Sequence, residues 1–179
     1  MPNIPGSSLA VRHVTLDSEQ PCQHECLTER EALLYALIGT IRVYANGAFL
    51  GSMGGGNSVT EPLAHVLRFP AGTDVDLTLV LDGFAADCLL VTCEALANRV
   101  TKLPYWHWSD TPYHQVGTGT HERRVAEVPT PPGYQLWAGE TLNCVGGTSS
   151  YPAHASQEDL QLYLDGKTTK RSEKVKRFQ

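Results

Sequence analysis

The residues that could do chemistry gather in a few short stretches. GGTSSYPAHASQED (146–159) holds one histidine, His154, followed by the acids Glu158 and Asp159. Imidazole and carboxylate groups ligate divalent metals and also move protons between neighbouring carbons. CQHEC (22–26) sets two thiols around His24. Zinc would need a second pair at a suitable spacing, and none follows. His13 and Glu25 are the only nearby additions, so the favoured reading is two reduced thiols in a surface loop. Cys88 and Cys93 are an odd number of positions apart, which places them on opposite faces of one strand. Neither has a neighbouring base, so both read as small buried hydrophobes. GSMGGGN (51–57) has the glycines of a phosphate loop but lacks its Lys-Ser/Thr ending and following helix, and reads as a turn loop. PYWHWSDTPYH (104–114) concentrates Trp, Tyr and His. Such rings either form a surface for a sugar or protein partner, or cap a core, and the sequence leaves the two readings level.

The elements that would position these residues are strands. Hydrophobic residues make up 41% of the chain, enough for a packed core. Gly 16 and Pro 11, with little helical patterning, point to an all-β architecture. REALLYALIGTIRVY (30–44) begins as a continuous apolar run and ends in alternation. With the ANG turn and AFLG, it predicts strand, strand, turn, strand. GSMGGGNS (51–58) is too glycine-rich for a regular element and is expected to be a loop. HVLRFPAGTDVDLTLVLDG (65–83) predicts two strands. Val66, Phe69, Val75, Leu77 and Leu79 face inward, while Arg68, Asp74, Asp76 and Thr78 face out. With ADCLLVTCEA (86–95), residues 30–95 give five or six closely spaced strands, the pattern of a small barrel or sandwich. The aromatic stretch breaks this rhythm. HERRVAEV, the PTPPGY turn, YQLWAGETLN and DLQLYLD then read as strands of a second unit. The expected division is a barrel over 1–96, a linker and joining strand over 97–125, a partial second unit over 126–166, and a basic tail over 167–179.

No apolar run approaches the ~20 residues of a membrane span, and MPNIPGSSLAVRH lacks the pattern of a signal peptide. Five cysteines, an odd number, fit reduced thiols and hence the cytoplasm. The net charge of −5 is uneven, because the tail KTTKRSEKVKRFQ carries four Lys, two Arg and one Glu on an acidic body. A solvated end is the favoured reading of the tail, and docking on an acidic protein partner is the other. An acidic body disfavours nucleic acid.

Three stretches together resemble the uronate isomerase family, comprising 5-deoxyglucuronate isomerase and 5-keto-4-deoxyuronate isomerase. They are GTHERRVAEV (119–128), GGTSSYPAHASQED, and LIGTIRVYANGAFLGSMGGGNSVTEPLAHVLRFPAGTDVDL (37–77). The resemblance covers about residues 30–165 and implies a bicupin, two cupin-like jelly-roll barrels in one chain. It also implies a divalent metal (Zn, Mn or Fe) held in the second barrel by three His and one Glu, serving aldose–ketose isomerisation. By that pattern His154 is the first ligand. Ser156 stands where the family has the second His, Gln161 where it has the Glu, and Thr148 where it has a Trp. The last His would come from strands beyond this chain. The second unit therefore reads as shortened and its metal site as a remnant, with no cofactor expected. The resulting expectation is a non-catalytic homo-oligomer, a structural or binding module such as a subunit of a larger assembly, for example a virion. The rival is an active isomerase on 5-deoxyglucuronate or a related uronate in inositol catabolism, with a divalent metal and with Glu140, Glu158 and Asp159 as candidate catalytic groups.

Overall fold

The computed structural model describes residues 9–54, 65–72, 74–94, 105–108, 114–117, 123–143, 159–165 and 168–176. Within them every regular element is a β-strand and every pairing is antiparallel. The strands are β1 (Leu9–Leu16), β2 (Cys22–Leu27), β3 (Arg30–Ile38), β4 (Thr40–Ala45), β5 (Ala48–Gly54), β6 (Val66–Phe69), β7 (Val75–Leu81), β8 (Ala86–Glu94) and β9 (Trp106–Trp108). They form a five-stranded sheet in the order β1-β8-β3-β6-β9 and a four-stranded sheet in the order β2-β7-β4-β5. From β1 to β8 successive strands alternate between the two sheets except at the β4–β5 hairpin, which is the wiring of a double-sheet jelly roll, and β9 then adds to the edge of the five-stranded sheet. Next come β10 (His114–Val116), β11 (Arg123–Val128) and β12 (Ala138–Asn143), which form a three-stranded sheet. Last are β13 (Asp159–Asp165) and β14 (Thr168–Lys176), which form a two-stranded one.

Strand β3 shows why the fold takes this form. Its run Glu31–Leu37 is buried throughout. Ala32, Leu34 and Ala36 join the core between the two sheets, with Val14, Leu16, Ile41, Val43, Leu77, Leu79, Cys88 and Leu90. Leu33, Tyr35 and Leu37 point the other way, into a second apolar layer with Val66, Leu89, Cys93, Val128 and Leu136. A strand covered on both faces needs apolar residues at every position, and this accounts for the unbroken ALLYALI. Each fully buried Leu in these layers contributes roughly 1.5–3 kcal/mol.

Two turns set the register. Asn46 (φ 51°) and Gly47 (φ 77°) close the β4–β5 hairpin, the Asn-Gly pair that a two-residue turn with both φ positive favours. The Asn46 side chain accepts from the Asp76 amide at 2.8 Å and ties the turn to β7. At Gly39 (φ 75°) the chain crosses from one sheet to the other. A Cβ there would lie 2.1 Å from the Ala85 carbonyl oxygen, so only glycine lets this crossing pass beside the one from β7 to β8.

The structure corrects several expectations. Strand β2 places CQHEC in the four-stranded sheet and not in a loop. Likewise the first half of GSMGGGNS belongs to β5, because β4 pairs with it as far as Gly54 and Met53 is buried in the core. Val66 and Phe69 lie on opposite faces of β6, as the period of two requires, and Arg68 is not outward in solvent but fully buried. The segment read as a linker supplies β9, which pairs with β6, and β11 runs across the 125/126 division. YQLWAGETLN is strand only from Ala138. Residues Thr168–Lys176 of the basic tail form β14, paired with β13.

Candidate functional site

His154, Ser156 and Glu158 lie outside the described residues. In β13, Asp159 pairs with Lys176 and Gln161 with Lys174. Glu140 lies in a different sheet, on β12 opposite Ala126. The described strand pairing therefore does not bring the three candidate carboxylates into one sheet. At the positions that the sequence resemblance assigns to metal ligands, His154, Ser156 and Gln161 offer one imidazole, one hydroxyl and one carboxamide. A divalent transition metal needs three or four N, S or carboxylate donors, so these residues do not fit it. Among the described residues, no three His, Cys, Asp or Glu gather where they could hold a metal ion.

Among the described residues, the space between the two large sheets is occupied by apolar side chains. Aliphatic side chains with Phe69, Met53 and Cys88 fill it. A small recess beside β5 is lined by Val43, Leu50, Gly51, Ser52, Met53 and Leu67, a set with no titratable group. Burial, and secondarily Asp87, pushes the Cys88 thiol up to about 12, which leaves it protonated and unreactive near neutral pH. Cys88 and Cys93 do fall on opposite faces of β8, one in each apolar layer.

The buried charged side chains among the described residues are Glu31 and Arg68, on the face of the five-stranded sheet turned away from the four-stranded one. They receive the segment between β11 and β12. Glu31 accepts from the backbone amides of Gln135 (2.6 Å) and Leu136 (2.7 Å). Arg68 donates to the Leu136 carbonyl at 2.5 Å and to the Thr130 hydroxyl at 3.1 Å, with its guanidinium 6.0 Å from the centre of the Tyr134 ring. Burial lowers the Arg68 pKa, while Tyr35, Glu31 and Tyr134 raise it again. Tyr134 is pushed up to about 12, by burial first and then by Glu31, against the opposing pull of Arg68. The PTPPGY turn shapes this segment, the Tyr134 amide bonding back to the Pro131 carbonyl at 3.2 Å. Both Glu31 oxygens already hold amide protons, so the carboxylate acts as a clamp and not as a free base. Sequence reasoning missed this clamp. Its only signal was a single charge beside or within each buried apolar run, Glu31 before ALLYALI and Arg68 inside VLRF.

A second polar group faces solvent on the four-stranded sheet. Cys22 Sγ lies 3.6 Å from His24 Nε2, and His24 Nδ1 lies 2.9 Å from the Thr78 hydroxyl. The other described histidines with visible contacts are occupied differently: His13 Nε2 sits 2.9 Å from Asp87, and His65 Nδ1 accepts from the Gly54 amide at 2.8 Å.

Comparison with known proteins places this architecture. An IolB-like protein from Salmonella typhimurium LT2 superposes with a TM-score of 0.63 at 19% identity, over 81% of this chain and 54% of that one. This chain therefore spans about half the length of that relative. A putative glyoxylate-induced protein from Pseudomonas aeruginosa matches at 12% identity and a TM-score of 0.49, over 73% of this chain and 47% of that one. The pirin YhhW from Escherichia coli, in complex with nickel(II), matches at 12% and 0.46, over 68% and 55%. No curated protein matches the chain. The family model of KduI and IolB matches residues 3–173, nearly the whole sequence, and the chain belongs to the KduI/IolB family.

Proposed function

We propose that this chain is a non-catalytic member of the KduI/IolB family, a jelly roll that works as an oligomeric structural or binding module. The observation that carries the reading is the donor set at the family's ligand positions. Only His154 is competent there, beside Ser156 and Gln161. The apolar filling between the large sheets supports it, since the described side chains in that space are packed as core. Exposed aromatic side chains support association. Phe84 is 98% exposed, Trp137 57% and Phe49 56%, and rings of this kind are enriched at protein interfaces. The Lys- and Arg-bearing β14 would suit an acidic surface on a partner.

Family membership favours a second reading, an aldose–ketose isomerase acting on a uronate through Glu140, Glu158 and Asp159. Metal analysis of the purified protein, light scattering for its mass in solution, and an assay with 5-deoxyglucuronate separate the two. The proposed module gives far less than one metal ion per chain, a stable multimer and no turnover. Stoichiometric Zn, Mn or Fe together with turnover would overturn it.

A further inference from the structure

Strand β2 is an edge strand of the four-stranded sheet, and its even-numbered residues face away from the core, since Leu27 points in. Cys22, His24 and Cys26 thus share one exposed side. Across the ladder His24 stands opposite Thr78, and the side chains meet: Thr78 Oγ1 is 2.9 Å from His24 Nδ1, and Cys22 Sγ is 3.6 Å from His24 Nε2. With Nδ1 carrying the proton and donating it to the Thr78 hydroxyl, Nε2 is left as an acceptor aimed at the thiol. This is the thiol, base and orienting group of an activated nucleophile. Nothing in the sandwich core or in the Glu31–Arg68 clamp makes use of it.

We propose that Cys22 is a reactive thiol, primed by His24 and positioned through Thr78, that exchanges with small disulfides. The Cys22 S–H bond breaks and its proton passes to His24 Nε2. The thiolate attacks one sulfur of the small disulfide, forming a mixed disulfide with Cys22. The other sulfur departs as a thiolate, which takes up the proton. One sulfur of the incoming disulfide is reduced and Cys22 is oxidised, so no further oxidant is needed. Cys26 serves as an internal control. It lies on the same strand and face and is more exposed, but its thiol meets the Thr28 hydroxyl at 3.4 Å and not an imidazole. The nearby charged groups on this face are Asp76 on β7 and Arg42 on β4, the latter paired with Asp82. The proposal is independent of whether the chain isomerises sugars.

The test uses the full chain carrying Cys144→Ser, with 2-hydroxyethyl disulfide as a neutral probe and intact-mass spectrometry as the readout. Cys26→Ser isolates Cys22, and Cys22→Ser isolates Cys26. At neutral pH Cys22 should react about tenfold faster than Cys26, as a thiol beside a base does. His24→Gln should bring Cys22 down to the rate of Cys26 and remove the imidazole step from its pH–rate profile. Thr78→Val should lower the rate part-way, because the tautomer is no longer fixed. Equal rates for the two thiols would overturn the proposal, as would a Cys22 rate and pH profile that survive His24→Gln. The comparison of the two thiols needs no change at His24, so it decides the matter even if that variant folds poorly.

Discussion

The two large sheets of the jelly roll are built from similar strands, yet they stand in different surroundings. The five-stranded sheet is covered on both faces, by its partner sheet on one side and by Val128, Leu136 and the segment between them on the other. The four-stranded sheet is covered on one face, and its other face carries His24, Asp76, Thr78, Arg42 and Tyr44 toward solvent. A polar residue on the doubly covered sheet must find partners inside the protein, because water cannot reach it. On the half-open sheet the same kind of residue stays hydrated and contributes little to stability. Glu31 and Arg68 show the first situation, and the Arg42–Asp82 pair shows the second.

The largest expected effect follows from breaking the buried clamp. Glu31→Ala removes the acceptor of the Gln135 and Leu136 amides and a carboxylate that favours the charged form of the buried Arg68. The expected loss is about 3–5 kcal/mol, the cost of leaving two such amides without an acceptor. Denaturant unfolding measures it. Glu31→Gln keeps one acceptor oxygen and should lose less. A loss below 1 kcal/mol for Glu31→Ala would mean that the segment from Thr130 to Leu136 is not held by this clamp.

Paired substitutions on β3 sharpen the comparison. Leu34 faces the core between the sheets and Leu33 faces the second apolar layer, and both are almost wholly buried. Leu→Ala at either position should lose about 2–4 kcal/mol if the outer layer is packed as closely as the inner one. A Leu33→Ala loss much smaller than that of Leu34→Ala, read from the same unfolding curves, would show that the outer layer is the looser of the two.

This double covering also explains what could be read from the sequence. Alternation and turn chemistry made β3 to β8 and the Asn46–Gly47 hairpin legible, since these depend on local spacing alone. ALLYALI announced a strand buried twice, but the sequence does not say what lies on its second face. Arg68 was therefore read as outward: its position in the alternation is right, but the cover over that face comes from residues 128–138, remote in sequence. Strand β2 was missed because CQHEC has polar residues even where the strand faces the core, at Gln23 and Glu25. Glu25 is matched there by Arg12 of β1, at 2.7 Å. Of the site, the resemblance supplied His154, Ser156 and Gln161 by pattern. The Cys22–His24–Thr78 grouping depends on a cross-strand register that no spacing reveals.

Alkaline pH probes both layers together. Cys88 lies in the inner layer and is raised from 9.0 to about 12. Tyr134 lies over the outer face and is raised from 10.0 to about 12. In each case the folded state holds its proton more tightly than the unfolded one. The stability they contribute is therefore complete below about pH 9 and is lost as pH rises toward 12. The slope is at most about 1.4 kcal/mol per pH unit for each group. Thermal melts at pH 8, 9, 10 and 11 should show a falling midpoint, and Cys88→Ala should flatten the first part of the fall. A midpoint that stays level across this range would contradict the burial of both groups.

The smallest effect is expected on the open face. Arg42 Nη2 and Asp82 Oδ1 are 3.4 Å apart, and their side chains remain 45% and 44% exposed. Water screens the pair, and ordering two flexible side chains offsets most of the remaining attraction. Arg42→Ala should therefore change stability by no more than about 0.5 kcal/mol, with any difference from the parent vanishing in 1 M salt. Arg42 and Glu31 both lie on strands of the jelly roll and both bear a single charge. A large loss for Arg42→Ala would mean that the outer face of the four-stranded sheet is covered in solution, and the contrast between the sheets would then disappear. A small one leaves burial of the second face as the feature that makes a charge at Glu31 structural and a charge at Arg42 dispensable.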